Sequence, residues 1–169
     1  MSKLFVIDPE DYIIEGEFER VKAPERTILD EENIIAAVEQ FKVDYVDQGL
    51  ALGELNEGFL VMPTIVYNNG EETEAEQVVE EEKDPAFMIL DIYWDWERRA
   101  ICGKIIILDT EDGEKIKKAI NQGVECFMSA SQTELYTVMD RDTGRMLCRI
   151  SNIKGYKISM FNFHSTVGQ

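Results

Sequence analysis

The sequence predicts an α+β fold with a largely antiparallel sheet or barrel and two short helices. Many short apolar runs alternate with polar residues, which is typical of strands in a half-buried sheet. Only two segments repeat apolar residues at helical spacing, and helices do not alternate with strands in the βαβ order of a parallel sheet. The 169-residue chain has the length of a single domain, residues 1 to 169, with its own core.

The first part of the chain predicts strands followed by a helix. "KLFVIDPEDYIIEGEFERV" alternates apolar and polar residues, and it predicts one or two strands with a turn near Asp8 and Pro9. "TILDEENIIAAVEQFKV" predicts a helix, because Asp30 suits the N-cap and apolar residues follow at helical spacing. Those apolar residues are Ile34, Ile35, Val38 and Phe41.

An acidic segment interrupts the strands that follow. "GLALGEL" and "FLVMPTIVY" are typical of strands, and Pro63 would sit at an edge or a bulge. Asn69-Gly70 is a turn signal, and the residues after it are densely acidic with little to bury. We therefore interpret residues 68 to 84 as an exposed acidic insertion or loop.

The second half of the chain predicts two hairpins around a short helix. "PAFMILDIYWDW" and "AICGKIIILDT" indicate strands joined through "ERRA". "EDGEKIKKAINQG" indicates a helix with Ile116, Ala119 and Ile120 on one face and Gly123 at its C-terminal end. "VECFMSASQTELYTVMD" and "GRMLCRISNIKGYKISMFNF" continue as strands, and "DRDTG" is the turn between them.

Composition excludes several classes of function. The net charge of -17 argues against nucleic acid as a partner, because phosphates require a basic surface. No run of about 18 apolar residues exists, so we expect no membrane partner. The start "MSKLFVIDPEDY" lacks the features of a signal peptide. Cys102, Cys126 and Cys148 form neither a disulfide framework nor a zinc pattern, so we expect reduced thiols in a cytosol-like compartment.

No cofactor or metal site is predicted. The sequence has no glycine-rich phosphate loop and no paired His or Cys cluster. Asp91, Asp95 and Glu97 could share one face of a strand and bind a cation. Because so acidic a chain brings carboxylates together by chance, we give this group no metal role.

Two serines are the candidate nucleophiles. Ser129 and Ser131 of "FMSASQ" occupy alternate positions, so both point to one side of a strand. A serine needs a base within hydrogen-bond reach, because an unassisted hydroxyl is a weak nucleophile. The single histidine, His164, would have to serve as this base. The sequence spacing neither supports nor excludes its pairing with a serine.

The order of these segments resembles the prohead (procapsid) maturation proteases of T-even-type tailed phages over most of the chain. The elements that carry the resemblance are "EENIIAAVEQF", "GELNEG", "AFMILDIYWDW", "GKIIILDTEDGEKIKKAINQGV" and "CFMSASQ". Residues 105 to 124 are the most specific match, and "YKISMFNFHSTVG" resembles the closing segment of the family. The resemblance implies one procapsid-protease-like domain.

The departures from the family fall on its catalytic motifs. Its Gly-Glu-Leu-x-His-Pro, Ser-His and Ser-Ser-Arg-Gly elements become "GELNEG", "AF" and "SASQ", which leaves four degenerate positions, Glu57, Phe87, Ser129 and Ala130. Phenylalanine transfers no proton, and a carboxylate with a usual pKa of about 4.3 is a poor base for serine near neutral pH. The resemblance therefore implies a retained fold with no catalytic residues and no enzyme activity.

The resemblance also implies a role in phage head assembly. T-even phages carry a protease inhibitor among their minor head proteins, so we expect a pseudoenzyme that binds and inhibits or regulates the active prohead protease. Its contact elements would be residues 71 to 84 and the tail "FHSTVGQ". Such a protein would act in the host cytoplasm during assembly or in the virion head, alone or as an oligomer.

Two alternatives stay open. One is a minor capsid or core structural protein that uses the same fold for packing, with other capsid or core proteins as partners. The other is a divergent serine protease that uses Ser129 with His164 or Glu57.

Overall fold

The computed structural model describes residues 2 to 56, 65 to 68, 71 to 74 and 84 to 160. For residues 2, 3, 65 to 68, 71 to 74 and 129 to 132 the backbone alone is described. The strands are β1 Ser2–Asp8, β2 Ile13–Arg20, β3 Thr27–Leu29, β4 Leu52–Leu55, β5 Ile65–Asn68, β6 Glu71–Glu74, β7 Phe87–Asp95, β8 Ala100–Ile107, β9 Cys126–Met139 and β10 Met146–Met160. The helices are α1 Glu31–Phe41, which continues into a π-helical turn at Lys42–Val46, and α2 Glu111–Asn121.

Seven strands form a nearly closed barrel. Their order is β1, β2, β8, β7, β4, β10 and β9, and β9 returns to pair with β1 at Ser2 and Lys3. The neighbours are antiparallel except for β4 and β10, which are parallel. With α1 and α2, this arrangement confirms the predicted α+β class with a largely antiparallel sheet.

The first hairpin and the first helix confirm the sequence predictions. β1 and β2 flank a turn at residues 9 to 12. Oδ1 of Asp30 accepts a hydrogen bond from the backbone N–H of Asn33 at 3.3 Å, which satisfies an otherwise orphaned donor at the helix start. The predicted apolar stripe faces the core, because Ile34, Val38 and Phe41 are buried.

The segment before this helix corrects the prediction. Thr27 to Leu29 form β3 rather than the start of the helix, and β3 pairs in parallel with Met146, Leu147 and Cys148 of β10. Long-range pairing with β10 thus determines the structure of this segment, which the local pattern did not reveal. The N–H of Asp30 continues the pairing by donating to the carbonyl of Cys148 at 2.9 Å.

The second helix is fixed at both ends. Thr110 Oγ1 accepts from the N–H of Gly113 at 3.0 Å and donates to the carbonyl of Pro85 at 2.8 Å. The cap therefore also positions the chain that enters β7. Gly123 has φ +80° just beyond the helix, the left-handed conformation that glycine adopts at low cost, as predicted. Ile116 and Ala119 are buried against the sheet.

Several predictions fall beyond the residues whose structure is described. The edge position of Pro63, the turn at Asn69-Gly70, residues 75 to 83 and the tail after 160 lie outside the described residues. Within the acidic segment, β6 pairs in antiparallel fashion with β5. Among the described residues no helix is both long and apolar enough to cross a membrane.

Candidate functional site

A β-bulge places Ser129 at an irregularity of the longest strand pairing. Met128 of β9 pairs with Ile158 of β10, while Ala130 pairs with Lys157, so Ser129 is the additional residue between them. Bulges bend a strand and occur often beside active sites, where they redirect a side chain. The backbone thus gives the serine position the kind of local geometry that a nucleophile uses.

The end of β4 lies on the other side of the same two residues of β10. Glu54 pairs with Lys157, and Leu55 pairs with Ile158. The N–H of Asn56 then donates to the carbonyl of Ile158 at 2.8 Å. Glu57, the next residue, lies outside the described residues. One strand therefore separates Asn56 from Ser129, and neighbouring strands lie about 4.8 Å apart, so about 10 Å separates the two strand axes.

Phe87 lies in the core and not beside Ser129. It pairs with Gly53 of β4 and with Ile107 of β8, and its side chain is 0% exposed. From β9, the strand order β10, β4, β7 puts Phe87 three strands from Ser129 along the sheet. Position 87 thus supplies an aromatic ring to the barrel interior.

The ring of Phe87 occupies the space above Gly53. A Cβ added at Gly53 would lie 2.0 Å from Cζ of Phe87 and 2.4 and 2.5 Å from its two Cε atoms. Glycine in the "GELNEG" element is therefore needed for a steric reason. The two residues form one packing unit: Gly53 leaves the space that Phe87 fills.

The structure places Asp91, Asp95 and Glu97 in different surroundings. β7 ends at Asp95, so Glu97 lies in the following turn and not on the strand, which corrects the prediction of alternate strand positions. Asp95 accepts from the backbone N–H groups of Glu97 and Arg98, and Asp91 pairs with Lys42 at 3.1 Å. No group of three or more potential ligands lies together in the described ranges.

The buried thiols are not prepared for nucleophilic chemistry. Cys102, Cys126 and Cys148 are free and buried. Burial raises the pKa of Cys102 and of Cys126 to about 11, and it also raises the pKa of Cys148. At neutral pH these groups remain thiols rather than the reactive thiolates. His164 lies outside the described residues.

The barrel and the two helices have a fold similar to that of a phage capsid assembly protease. The solved structure of the bacteriophage T4 capsid assembly protease, gp21, matches with a TM-score of 0.50 and 18% identity. The match covers 89% of this chain and 82% of that chain. No family model matches the sequence, and no curated protein matches it either. At this level of identity the likeness establishes the fold, which confirms the fold-level part of the resemblance.

Proposed function

We propose that this chain is a pseudoenzyme that binds an active phage capsid assembly protease and inhibits or regulates it during head assembly. The observation that supports this most directly is Phe87, which is completely buried where the family resemblance implies a histidine. A phenyl ring cannot accept the proton of a serine, so position 87 provides no base for Ser129. The proposed site of action is the host cytoplasm during assembly, with the virion head as the alternative.

The chemistry of serine proteolysis supports an inactive site. A histidine must accept the serine proton before attack and then deliver it to the leaving group. The described ranges contain no histidine, and position 57 carries a glutamate. Removing one member of a catalytic triad typically lowers kcat by about 10⁴ to 10⁶-fold. A chain without the histidine partners would therefore turn over far too slowly to process a capsid.

The retained fold supports a binding role. A chain that keeps the barrel fold of a protease without its proton-transfer groups can bind the partners of that fold without reacting. It can therefore take the place of a protease subunit or substrate segment without reacting. The acidic residues 71 to 84 and the tail "FHSTVGQ" remain our proposed contact elements.

Inhibition can be measured with purified components. The capsid assembly protease of the same phage is incubated with its scaffold substrate and increasing amounts of this protein. We expect cleavage to fall as the protein approaches and exceeds the protease concentration. A Ser129→Ala variant is the matched control, because inhibition by binding does not need the hydroxyl. Unchanged cleavage at large excess would reject the inhibitor role, and stoichiometric incorporation into heads would then favour the structural alternative.

The bulge at Ser129 favours one second candidate, a divergent serine hydrolase. A fluorophosphonate probe labels an activated serine but not an ordinary one. We expect no labelling of the full-length protein above the background seen with Ser129→Ala. Labelling that is lost in this variant would contradict the pseudoenzyme proposal.

A further inference from the structure

A small pocket lies where α1 ends and the sheet opens between β4 and β10. It is open to solvent on one side and has a volume of about 130 Å³, and its walls include Phe41, Ala51 and Ile89. On the β10 side a second bulge forms the wall, at Lys154 and Gly155, where Gly155 has φ +140°. A cavity of about 150 Å³ is large enough for benzene. The pocket therefore has room for one apolar side chain.

The π-helical turn and the residues after it form an exposed apolar rim around this pocket. Tyr45, Leu50 and Leu52 line the pocket and are 46%, 62% and 49% exposed, and Val43 in the same turn is 55% exposed. Single exposed apolar residues are ordinary, but a contiguous group around a concavity indicates a binding surface.

Carboxylates surround the rim and outnumber the cations. Lys42 is paired with Asp91 at 3.1 Å, and Lys154 is paired with Glu134 at 2.6 Å. Asp44 and Asp47 are exposed beside the rim, and in the described ranges no ion pair joins either of them to a cation. The local field is therefore negative, in a chain whose net charge is already -17.

We infer that this pocket binds a partner protein segment with one apolar side chain flanked by lysine or arginine residues. The cavity accepts the apolar side chain, while Asp44 and Asp47 attract the flanking cations. A second copy of this chain is a poor occupant, because it brings another net charge of -17 to an acidic surface. This site does not depend on the partner being the protease, so its test is separate from the cleavage assay.

Synthetic peptides test the pocket directly. The probe is a fluorescein-labelled peptide with one leucine between two pairs of arginines, and binding to the full chain is followed by fluorescence anisotropy. Burying a leucine side chain accounts for at least a tenfold difference in affinity, so a matched serine peptide should bind about tenfold more weakly or worse. A third peptide, in which glutamates replace the arginines, should not bind.

Variants of exposed residues locate the binding. The Leu50→Ser and Leu52→Ser double variant should weaken binding of the leucine peptide about tenfold. The Asp44→Asn and Asp47→Asn double variant should weaken it severalfold and reduce its salt dependence. Leu135→Ser, at another exposed apolar position, is the control and should leave affinity unchanged.

Three outcomes would overturn the inference. The first is equal affinity for the leucine and serine peptides, which would mean unspecific attraction to an acidic surface. The second is an affinity that none of the rim variants changes, or no saturable binding at millimolar peptide. The third is a dimer, detected by light scattering, that the Leu50→Ser and Leu52→Ser variant abolishes, since a second copy would then occupy the pocket.

Discussion

Two regions of the barrel are built differently. The double hairpin (β1, β2, β8 and β7) is joined by long antiparallel pairings, such as the pairing of Ile13 to Arg20 with β8. In the junction (β4, β10 and β9), β9 and β10 also share a long pairing, but within the described residues β4 is joined to each neighbour by only two residue pairs. Ser129 and Ala130 lie in the junction. The difference teaches that strand pairing holds the double hairpin firmly and holds β4 only weakly.

Phe87 stands at the border between these regions and couples them. It belongs to β7 of the double hairpin, but its ring packs on Gly53 of the junction strand β4. A histidine introduced there would lose the packing of the phenyl ring in the barrel interior. This makes position 87 the most sensitive test of the comparison.

The largest expected effect is that of Phe87→His. We expect a loss of about 4 kcal/mol in the free energy of unfolding, because packing is lost and a polar ring is buried without a partner. Phe87→Leu, which stays apolar, should lose only about 1.5 kcal/mol. Urea denaturation measures both variants. If Phe87→His folds with unchanged stability, or gains labelling by the fluorophosphonate probe, our placement of this residue in the core is wrong.

Gly53→Ala should lower the free energy of unfolding by a smaller amount, about 2 to 3 kcal/mol, because the added methyl group overlaps the Phe87 ring. Combining it with Phe87→Leu sharpens the test. The smaller side chain leaves space for the methyl group, so the two losses should be less than additive. Strict additivity in thermal or urea denaturation would show that these residues do not couple the two regions.

The next effect on stability concerns a contact between α1 and β10. It lies between the segment of β10 that pairs with β3 and the segment that pairs with β4. The Asn33 side chain accepts a hydrogen bond from the N–H of Ile150 at 2.8 Å, and Ile150 is 3% exposed. Asn33→Ala leaves that N–H donor unsatisfied and should lower the free energy of unfolding by about 1 to 2 kcal/mol. Asn33→Asp keeps an acceptor and should cost less. Equal losses for the two variants, measured by urea denaturation, would contradict this role of the side chain.

The smallest effect is expected in the double hairpin, where a hydrogen bond on the surface joins Tyr93 to Glu15. Burial and the 3.1 Å hydrogen bond to Glu15 raise the pKa of Tyr93 to about 12. The pKa of tyrosine in the unfolded chain is about 10. The contribution of Tyr93 to the free energy of unfolding is therefore complete below a pH of about 10, and it is lost as the pH rises toward 12. Glu15→Gln should lower the pKa of Tyr93 but leave it above 10, because burial remains.

Alkaline difference absorbance of tyrosinate, with Tyr93→Phe as the reference, measures this change. A Tyr93 that titrates identically in the parent protein and in Glu15→Gln would show that the carboxylate has no influence on it.

Sequence patterns predicted the elements whose causes are local. Asp30 was recognised as a cap, Gly123 as a helix terminator, and "DRDTG" as the turn that now joins β9 and β10. Each of these depends on residues within a few positions of one another. Strand periodicity likewise located both halves of the hairpin formed by β7 and β8.

Features that depend on distant contacts were not predictable in the same way. The strand β3 exists because β10 pairs with it, although each residue of β3 pairs with a residue 119 positions further along the chain, as Thr27 does with Met146. The bulge at Ser129 is defined only by its pairing with β10. The apolar residues Leu50 and Leu52 suggest a core position by composition, but the structure leaves both exposed.

The pairing of β10 with both β3 and β4 also determines when the protein can fold. Among the described strands, Thr27–Leu29 pairs with β10 alone, and Leu52–Leu55, which also pairs with β7, has its other edge open until the strand that begins at Met146 is present. During synthesis these strands must wait, with their pairing edges open, until most of the chain has left the ribosome. Distant pairing slows folding, and unsatisfied strand edges attract other chains. We therefore expect nascent chains to depend on chaperones until β10 arrives.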